Sequence, residues 1–312
     1  MQTGNGTHVM EFILLGLTED PALQIPLFCF FLLVYSINLL CNFGIMVLIT
    51  MNHNLHSPMY FLLCSLAFVD ISFSSVAVPN MLVNFLWMRK TISFVGCAVQ
   101  MFLSYVVGSA DVFMMALMAY DRYTAICNPL LYPVIMNNRT CLHLLVGITV
   151  IAVINSLTHA VFTFRLPFCK DNKISHFFCD VPALLKLACS DTTFNEVVLI
   201  SMAGGLIVIS LVIVLISYVY IVSAILKISS SEGRKKTFST CSSHFFCVTL
   251  FFGTLVFMYA KPTASHSMAK DNVASVFYMV IIPMLNPLIY SFRNHEIKQA
   301  LRKGLEKISA SK

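Results

Sequence analysis

Three polar residues lie inside long apolar stretches of this sequence, where their chemistry differs from that of surface groups. Asp70 is the single charge in Pro58–Leu86, Asp111 is the single charge in Thr91–Tyr120, and Asn286 lies in a third apolar stretch. Two carboxyl groups in one apolar environment repel each other, so they take up a cation or a proton unless hydrogen bonds satisfy them. The alternatives are a switch that responds to sodium or a proton and a neutral, hydrogen-bonded polar core. We favour the switch.

Two short motifs indicate a protein that changes shape. Asp121-Arg122-Tyr123 ends one apolar stretch, where Arg122 can pair with Asp121 and separate from it when a neighbouring helix moves. Asn286 is followed by Pro287, and a proline inside a helix removes a backbone hydrogen bond and bends the helix. Together the motifs favour a mobile bundle over a static anchor.

Residue types that could bind a metal or catalyse hydrolysis do not form a recognisable site. Cys241, His244 and Cys247 follow one another along one apolar stretch without a fourth ligand, so we expect them to pack in the interior. The sequence lacks the motifs of zinc hydrolases, serine hydrolases and nucleoside triphosphatases. We therefore predict neither a metal site nor an enzyme.

The elements that position these groups must be membrane helices. Of the 312 residues, 58% are hydrophobic and 11% are charged, whereas soluble proteins contain about 25% charged residues. The net charge of +6 is too small and too scattered for a nucleic-acid-binding protein. No Asp, Glu, Lys or Arg occurs between Asp20 and Asp70, which is too long a stretch for one span, so the chain must turn at His53–Pro58.

We predict an all-α membrane protein, in which residues 1–312 form one domain built on seven transmembrane helices. Each apolar stretch exceeds the roughly 20 residues needed to cross the hydrocarbon core. Lipid offers the backbone no hydrogen bonds, which favours helices. A short amphipathic surface helix is predicted after them, because Ile297, Leu301 and Ile308 share one stripe; the alternative is a basic cluster that only sets the orientation. The predicted spans are residues 24–50, 58–86, 93–124, 140–164, 196–226, 237–260 and 272–292.

The basic residues set the predicted orientation. Residues 1–23 contain no Lys or Arg, whereas residues 293–312 and the connection that contains Lys227 and Arg234–Lys236 are rich in them. Because basic segments stay in the cytoplasm, we expect an extracellular N-terminus and a cytoplasmic C-terminus in the plasma membrane. Asn5 begins a glycosylation sequon in the predicted outer tail.

Four cysteines fall on the predicted outer side, where the environment is oxidising. An even number of such cysteines predicts two disulfides. Four cysteines allow three pairings, and the residues alone do not choose among them. The four are Cys97, Cys169, Cys179 and Cys189.

Four segments resemble the olfactory receptors of vertebrates, within the rhodopsin-like (class A) G-protein-coupled receptors. In chain order they are Leu55–Phe61, Met118–Leu130, Lys236–His244 and Pro283–Asn294. They occur at matching positions and span nearly the whole chain, and the outer loop containing His176–Asp180 resembles the tetrapod-type branch. The resemblance implies a receptor for small volatile, largely apolar ligands that activates a stimulatory, olfactory Gs-like G protein and raises cAMP.

The resemblance also implies roles for particular residues. It pairs Cys97 with Cys179 and Cys169 with Cys189, and it places Asp70, Asp111 and Asn286 in one buried polar cluster. Phe252 stands where the family usually has a tyrosine. The implied activation residues are Asp121, Arg122, Tyr123, Tyr218, Phe252, Asn286, Pro287 and Tyr290.

The resemblance places a ligand site in the outer half of the third, fifth, sixth and seventh helices. Such a site would be apolar with a few hydroxyls, and it would hold a small ligand by shape and one or two hydrogen bonds. Asp111 lies about 10 Å deeper than Ser104 on a helix. We therefore expect no carboxylate at the mouth of the site and no amine ligand. The predicted lining residues are Ser104, Tyr105, Gly108, Ser109, Met202, Leu206, Leu255, Val256, Tyr259, Val276 and Met279.

The predicted partners are an odorant, a heterotrimeric G protein and membrane lipid. A helix of the G protein would enter the inner face when the sixth helix swings outward, and the basic C-terminal helix would lie on the anionic leaflet. Two alternatives stay open. A secondary transporter would show inverted repeats, which we do not detect, and another class A receptor would not need Leu55–Phe61 or Lys236–His244.

Overall fold

The computed structural model describes residues 10–18, 20–87, 90–169, 171–259, 268–293 and 295–310. Within these ranges, it describes no side chains for residues 236, 239, 240, 243, 257–259, 268–271, 291–295, 304, 305 and 307–310. The predicted helical class is confirmed, because long helices account for most of the described chain. The α-helices of the described residues, long and short, are in chain order α1 (Pro21–Met51), α2 (Pro58–Leu86), α3 (Phe94–Cys127), α4 (Tyr132–Ile135), α5 (Asn138–Phe164), α6 (Val181–Leu185), α7 (Thr193–Leu199), α8 (Gly205–Leu226), α9 (Ser231–Tyr259), α10 (Met268–Val276), α11 (Ile282–Arg293) and α12 (His295–Ala310).

Local sequence signals account for several helix ends. α1 begins at Pro21, where the side chain of Asp20 accepts a hydrogen bond from the backbone N–H of Ala22 at 2.9 Å. α2 begins at Pro58, the proline at which the sequence predicts a new helix. In α3, the hydroxyl of Ser93 accepts from the N–H of Gly96.

Two of the long helices contain a π-helical segment. Ile200–Gly204 connects α7 to α8, and Phe277–Ile281 connects α10 to α11. A π segment widens the helix locally and is frequent at functional sites. The fifth and seventh predicted spans therefore each consist of an outer α segment, a π segment and an inner α segment.

Six helices within the described residues are long and apolar enough to cross a membrane. They cover Pro21–Met51, Pro58–Leu86, Phe94–Cys127, Asn138–Phe164, Thr193–Leu226 and Asn272–Tyr290. The predicted span at residues 237–260 differs from these. Residues 237–259 of this span lie in α9, where the apolar stretch His244–Val256 is bounded on both sides by residues whose side chains are not described.

A small sheet departs from the all-α expectation. Strand β1 (Glu11–Leu14) pairs antiparallel with β2 (Thr91–Ser93) and parallel with β3 (Lys173–Ile174). The tail that we expected to be only an extracellular segment therefore folds onto two loops at the end of the bundle that carries the disulfides, which we call the outer end, the opposite end being the inner end. Phe12 and Leu14 are fully buried there, against Cys97 and Phe168 among others.

The buried side chains form three clusters along the bundle. An inner cluster joins α1, α2, α3, α8, α9 and α11, and a second cluster joins α1 and α2 to the π segment before α11. The third cluster packs β1 under the loop that contains α6. The candidate ligand cavity lies between residues of these clusters.

Candidate functional site

A cavity opens between α3, α5, α8, α9 and the π segments, and the loop before α6 forms its roof. The space between its walls, including the opening, amounts to about 700 Å³. The lining residues are Phe73, Ser104, Tyr105, Gly108, Ser109, Val112, Asn155, Phe178, Asp180, Ala203, Leu206, Ile207, Phe251, Leu255, Tyr278 and Met279.

Most of the lining residues predicted from the sequence face this cavity. Gly108 lies opposite Phe73, where a Cβ atom would be 3.4 Å from the phenylalanine ring, an ordinary van der Waals contact. The predicted residues that line the cavity are Ser104, Tyr105, Gly108, Ser109, Leu206, Leu255 and Met279.

Three predicted lining residues do not line the cavity. Val256 is 46% exposed on the outside of the bundle, because successive helical residues differ by about 100° and Leu255 already faces inward. Met202 lies inside the first π segment, where its neighbour Ala203 lines the cavity, and Val276 lies directly before the second, whose residue Met279 lines the cavity as predicted. The lining then continues through Tyr278.

Two further predicted residues cannot be placed at a site. Tyr259 is the last residue of α9, and its side chain lies outside the described residues. Asn5, the predicted glycosylation position, also lies outside the described residues.

Covalent and polar contacts hold the roof of the cavity in place. The structure joins Cys97 to Cys179 and Cys169 to Cys189, with Cα–Cα distances of 5.5 and 5.8 Å. These are the pairs that the resemblance implies. Next to the first bridge, the N–H of Cys179 donates to the side-chain oxygen of Gln100 at 3.0 Å.

The roof also corrects one expectation from the sequence. We expected no carboxylate at the mouth of the site, yet Asp180 lines the cavity. The hydroxyl of Tyr105 donates to Asp180 Oδ1 at 3.2 Å, and the N–H of Val181 donates to the same oxygen at 2.9 Å. The sequence argument considered only helix residues, whereas Asp180 reaches the site because the adjacent Cys179 is bonded to α3. The absence of a carboxylate therefore no longer argues against an amine ligand.

Asn155 on α5 is a polar wall residue that the sequence argument missed. It is 3% exposed, and its Nδ2 donates to the hydroxyl of Ser109 at 3.0 Å. The sequence offered one signal for it, since a buried asparagine in a membrane helix seeks a polar partner on a neighbouring helix. Phe251 was not predicted as a site residue, yet it lines the cavity. Its neighbour Phe252, a predicted activation residue, packs into the inner cluster.

The structure brings the predicted polar cluster together below the cavity. Asp70, Asp111 and Asn286 are nearly fully buried. Asn286 Nδ2 donates to both carboxylate oxygens of Asp70, at 3.1 and 3.2 Å. Both oxygens of Asp111 and the side-chain oxygen of Asn286 have no hydrogen-bond partner among the described residues. The two carboxyl groups are close enough to interact electrostatically.

Asp121 organises the inner end of α3. Arg122 Nη2 donates to Asp121 Oδ2 at 2.8 Å, and the hydroxyl of Tyr132 on α4 donates to Asp121 Oδ1 at 2.8 Å. Burial, followed by the nearby Asp121 carboxylate, raises the pKa of Tyr132 well above its usual value. Tyr132 therefore keeps its proton and remains a donor to Asp121. Tyr123 lies beside this site, with its ring 5.6 Å from Tyr220.

A second contact at the inner end joins α8 to α9. The hydroxyl of Tyr218 lies 2.7 Å from His244 Nδ1, and the two rings are stacked. The ring of Tyr290 on α11 lies 6.4 Å from that of His244. Pro287 lies inside α11 between Asn286 and Tyr290. His244, which the sequence argument assigned only to packing, therefore connects three helices.

Comparisons with known proteins give the same assignment throughout the chain. The sequence model of the olfactory receptor family matches residues 29–307. Olfactory receptor 5AP2 of Mus musculus is 52% identical over 98% of this chain and 96% of its own length. Olfactory receptor OR9H1 of Homo sapiens is 50% identical over 98% of this chain and 99% of its own length.

A solved structure shows the same fold. The crystal structure of squid rhodopsin matches with a TM-score of 0.68, covering 93% of this chain and 87% of the rhodopsin chain at 17% identity. The match supports the rhodopsin-like arrangement of helices, and the predicted family is confirmed. The chain therefore belongs to the olfactory receptor family, as a multi-pass membrane protein of the rhodopsin-like G-protein-coupled receptor class and not an enzyme.

Proposed function

We propose that this receptor binds small volatile, largely apolar odorants in the cavity between α3, α5, α8 and α9. The cavity supports this proposal because phenylalanine, leucine, isoleucine and valine side chains make up much of its wall, while a few polar groups stand at fixed positions. The observation that carries the proposal is the largely apolar cavity under a disulfide-bonded roof in a member of this family.

We further propose that the bound receptor activates a stimulatory, olfactory Gs-like G protein and raises cAMP. Asp121 holds Arg122 at the inner end of α3, and Tyr218 holds His244 between α8 and α9. An agonist that prefers an arrangement with α9 displaced would shift the population toward it. Lys227, Arg234 and Lys235 are exposed beside the region that this displacement would open.

We propose that the N-terminus is extracellular and that α12 lies on the anionic inner leaflet of the plasma membrane. Ile297 on α12 is buried against the bundle, while Lys298, Arg302 and Lys303 are exposed. An epitope fused before Met10 should bind antibody on intact cells. Binding only after permeabilisation would contradict this orientation.

A cAMP reporter assay tests the function directly. In cells that express the receptor and an olfactory stimulatory G protein, at least one member of an odorant panel should raise cAMP in a concentration-dependent manner. Uptake of a solute without any cAMP response would support the transporter alternative and contradict the proposal. Cells without the receptor serve as the control.

Arg122→Ala should abolish the odorant-evoked cAMP response while surface expression stays measurable. The reason is that Arg122, 13% exposed beside the inner face, is the group that we expect to leave Asp121 and contact the G protein. Arg139→Ala, at an exposed position at the start of α5, is the matched control and should respond normally. A full response of Arg122→Ala would remove this residue from the mechanism.

We also propose that Asp70, Asp111 and Asn286 hold a sodium ion in the resting receptor. The residues fit such an ion, because hard cations prefer oxygen ligands and three buried oxygens of Asp111 and Asn286 have no hydrogen-bond partner among the described residues. A bound cation would offset the repulsion between the two carboxylates.

Asp111→Asn should remove the sodium dependence of odorant potency. In the unmodified receptor, replacing sodium with N-methylglucamine should raise potency, because the ion stabilises the resting state. In the variant, potency should be the same in both media. Sodium dependence that persists in Asp111→Asn at equal surface expression would contradict the site.

A further inference from the structure

Asn155, in the wall of the candidate cavity, has a side-chain hydrogen-bond acceptor without a partner among the described residues. Its side chain is 3% exposed and lines the cavity, with Nδ2 donating to Ser109 Oγ at 3.0 Å. The other side-chain atom, Oδ1, has no hydrogen-bond partner among the described residues. A buried amide oxygen without a donor is costly, so a ligand that supplies the donor gains affinity.

The neighbouring hydroxyl groups of the cavity wall donate to other acceptors, so they do not donate to Asn155 Oδ1. The hydroxyl of Ser104 donates to the backbone oxygen of Gln100 at 2.8 Å, and the hydroxyl of Tyr105 donates to Asp180 at 3.2 Å. Asn155 Nδ2 already donates to Ser109 Oγ, so Oδ1 is the side-chain atom of Asn155 that has no partner among the described residues. The hydroxyls of Ser104 and Tyr105 are therefore committed to protein acceptors.

We propose that this cavity selects ligands that carry a hydrogen-bond donor, namely alcohols and phenols, over aldehydes, ketones and ethers with the same carbon skeleton. The ligand hydroxyl would donate to Asn155 Oδ1 while its apolar part contacts the phenylalanine and leucine side chains of the wall. A carbonyl or ether oxygen cannot donate and would face Asn155 Oδ1 with its own lone pairs. This inference rests on the proposed function, since it takes the cavity as the odorant site.

The first test compares matched ligands on the unmodified receptor. The pairs are menthol with menthone, borneol with camphor, benzyl alcohol with benzaldehyde and cyclohexanol with cyclohexanone, so that shape stays nearly constant within each pair. In each pair that activates, the alcohol should be more potent by about tenfold, the size expected for one buried hydrogen bond. Equal potency, a preference for the carbonyl compound, or activation by none of the alcohols would overturn the proposal.

A second readout separates this proposal from the proposed coupling. With purified full-length receptor in detergent, the alcohol of a pair should raise the unfolding temperature more than its carbonyl partner. Stabilisation by alcohols without a cAMP response would leave the ligand class standing and contradict the coupling. Equal stabilisation by both partners would contradict the ligand class whether or not cAMP rises.

The variant Asn155→Leu assigns the preference to this side chain. It should lower the potency of the alcohols about tenfold and leave that of the carbonyl partners unchanged or raised. Ser156→Ala is the matched control, because Ser156 is buried on the same helix, donates to the backbone oxygen of Phe102, and lies outside the cavity wall. The Ser156→Ala variant should keep the alcohol preference.

An alcohol preference that survives Asn155→Leu would overturn the role of Asn155. If that variant does not reach the cell surface, the comparison of ligand pairs on the unmodified receptor decides.

Discussion

The two ends of the helical bundle are held together in different ways. At the outer end, two disulfides and a three-stranded sheet fix the loops above the cavity, and Cys179 is further bonded to Gln100 on α3. At the inner end, side-chain contacts connect the helices, such as Tyr132 with Asp121 and Tyr218 with His244. Side-chain hydrogen bonds can be exchanged for others, whereas a disulfide holds its two segments together until it is reduced.

Under the proposed function, the outer end recognises the ligand and the inner end changes its contacts in response. A fixed roof keeps the cavity in one shape, so that the ligand does not have to order it on binding. Each side-chain hydrogen bond at the inner end contributes roughly 0.5–1.5 kcal/mol to the stability of the fold. A ligand with a modest preference between two states can therefore shift the inner end without unfolding the outer end.

Breaking the outer bridge should have the largest effect. Cys97→Ser removes the disulfide between α3 and the roof, and loss of a native disulfide costs about 2–5 kcal/mol. We expect no functional fold, measured as loss of both surface expression and the odorant response. Cys29→Ser, at an exposed free cysteine in α1, is the control and should behave as the unmodified receptor does. Normal responses in Cys97→Ser would show that the roof does not need this bridge.

A pair of neighbouring residues on α9 tests which face of the helix meets the ligand. Leu255 is buried in the cavity wall, whereas Val256 is 46% exposed on the outside. Leu255→Ala should lower odorant potency about tenfold, because it removes apolar contact with the ligand. Val256→Ala should leave potency unchanged in the same concentration–response assay. The reverse result would mean that α9 is rotated relative to this structure.

Weakening the inner end should have the smallest of these effects. Tyr132→Phe removes one hydrogen bond to Asp121 and frees Arg122 to separate from it more often. We expect basal cAMP to rise about threefold at equal surface expression. Tyr120→Phe is the control, because that ring is partly exposed near the end of α3. Basal cAMP that stays level in Tyr132→Phe would indicate that α4 does not restrain Arg122.

Much of the helical fold could be predicted because membrane helices follow directly from long apolar stretches. The turn at Pro58 and the separation of α1 from α2 followed from residue types alone. The strand Glu11–Leu14 could not be predicted in this way, because its pairing depends on two loops that are distant in sequence. A segment of four residues such as Glu11–Leu14 does not indicate which other strands it will pair with.

The cavity could be predicted best where helices keep regular spacing. On α3, which is α-helical throughout, all four predicted residues face the cavity, and counting by turns was sufficient there. On the helices interrupted at Ile200–Gly204 and Phe277–Ile281, the positions taken from the resemblance were correct for Leu206 and Met279 and wrong for Met202 and Val276. Asp180 was missed for another reason, since a loop residue enters the wall only after the chain has folded.

The interrupted helices give this receptor a way to change its ligand range by small steps. Each π segment holds one more residue than the α-helical path would need. Because the wide turn already absorbs that residue, deleting one residue from Ile200–Gly204 would restore regular α-helix and leave the segments on either side in their present orientation. Such a deletion would change the side chains only next to Ala203 in the wall of the proposed odorant cavity, while the contact between Tyr218 and His244 stayed in place.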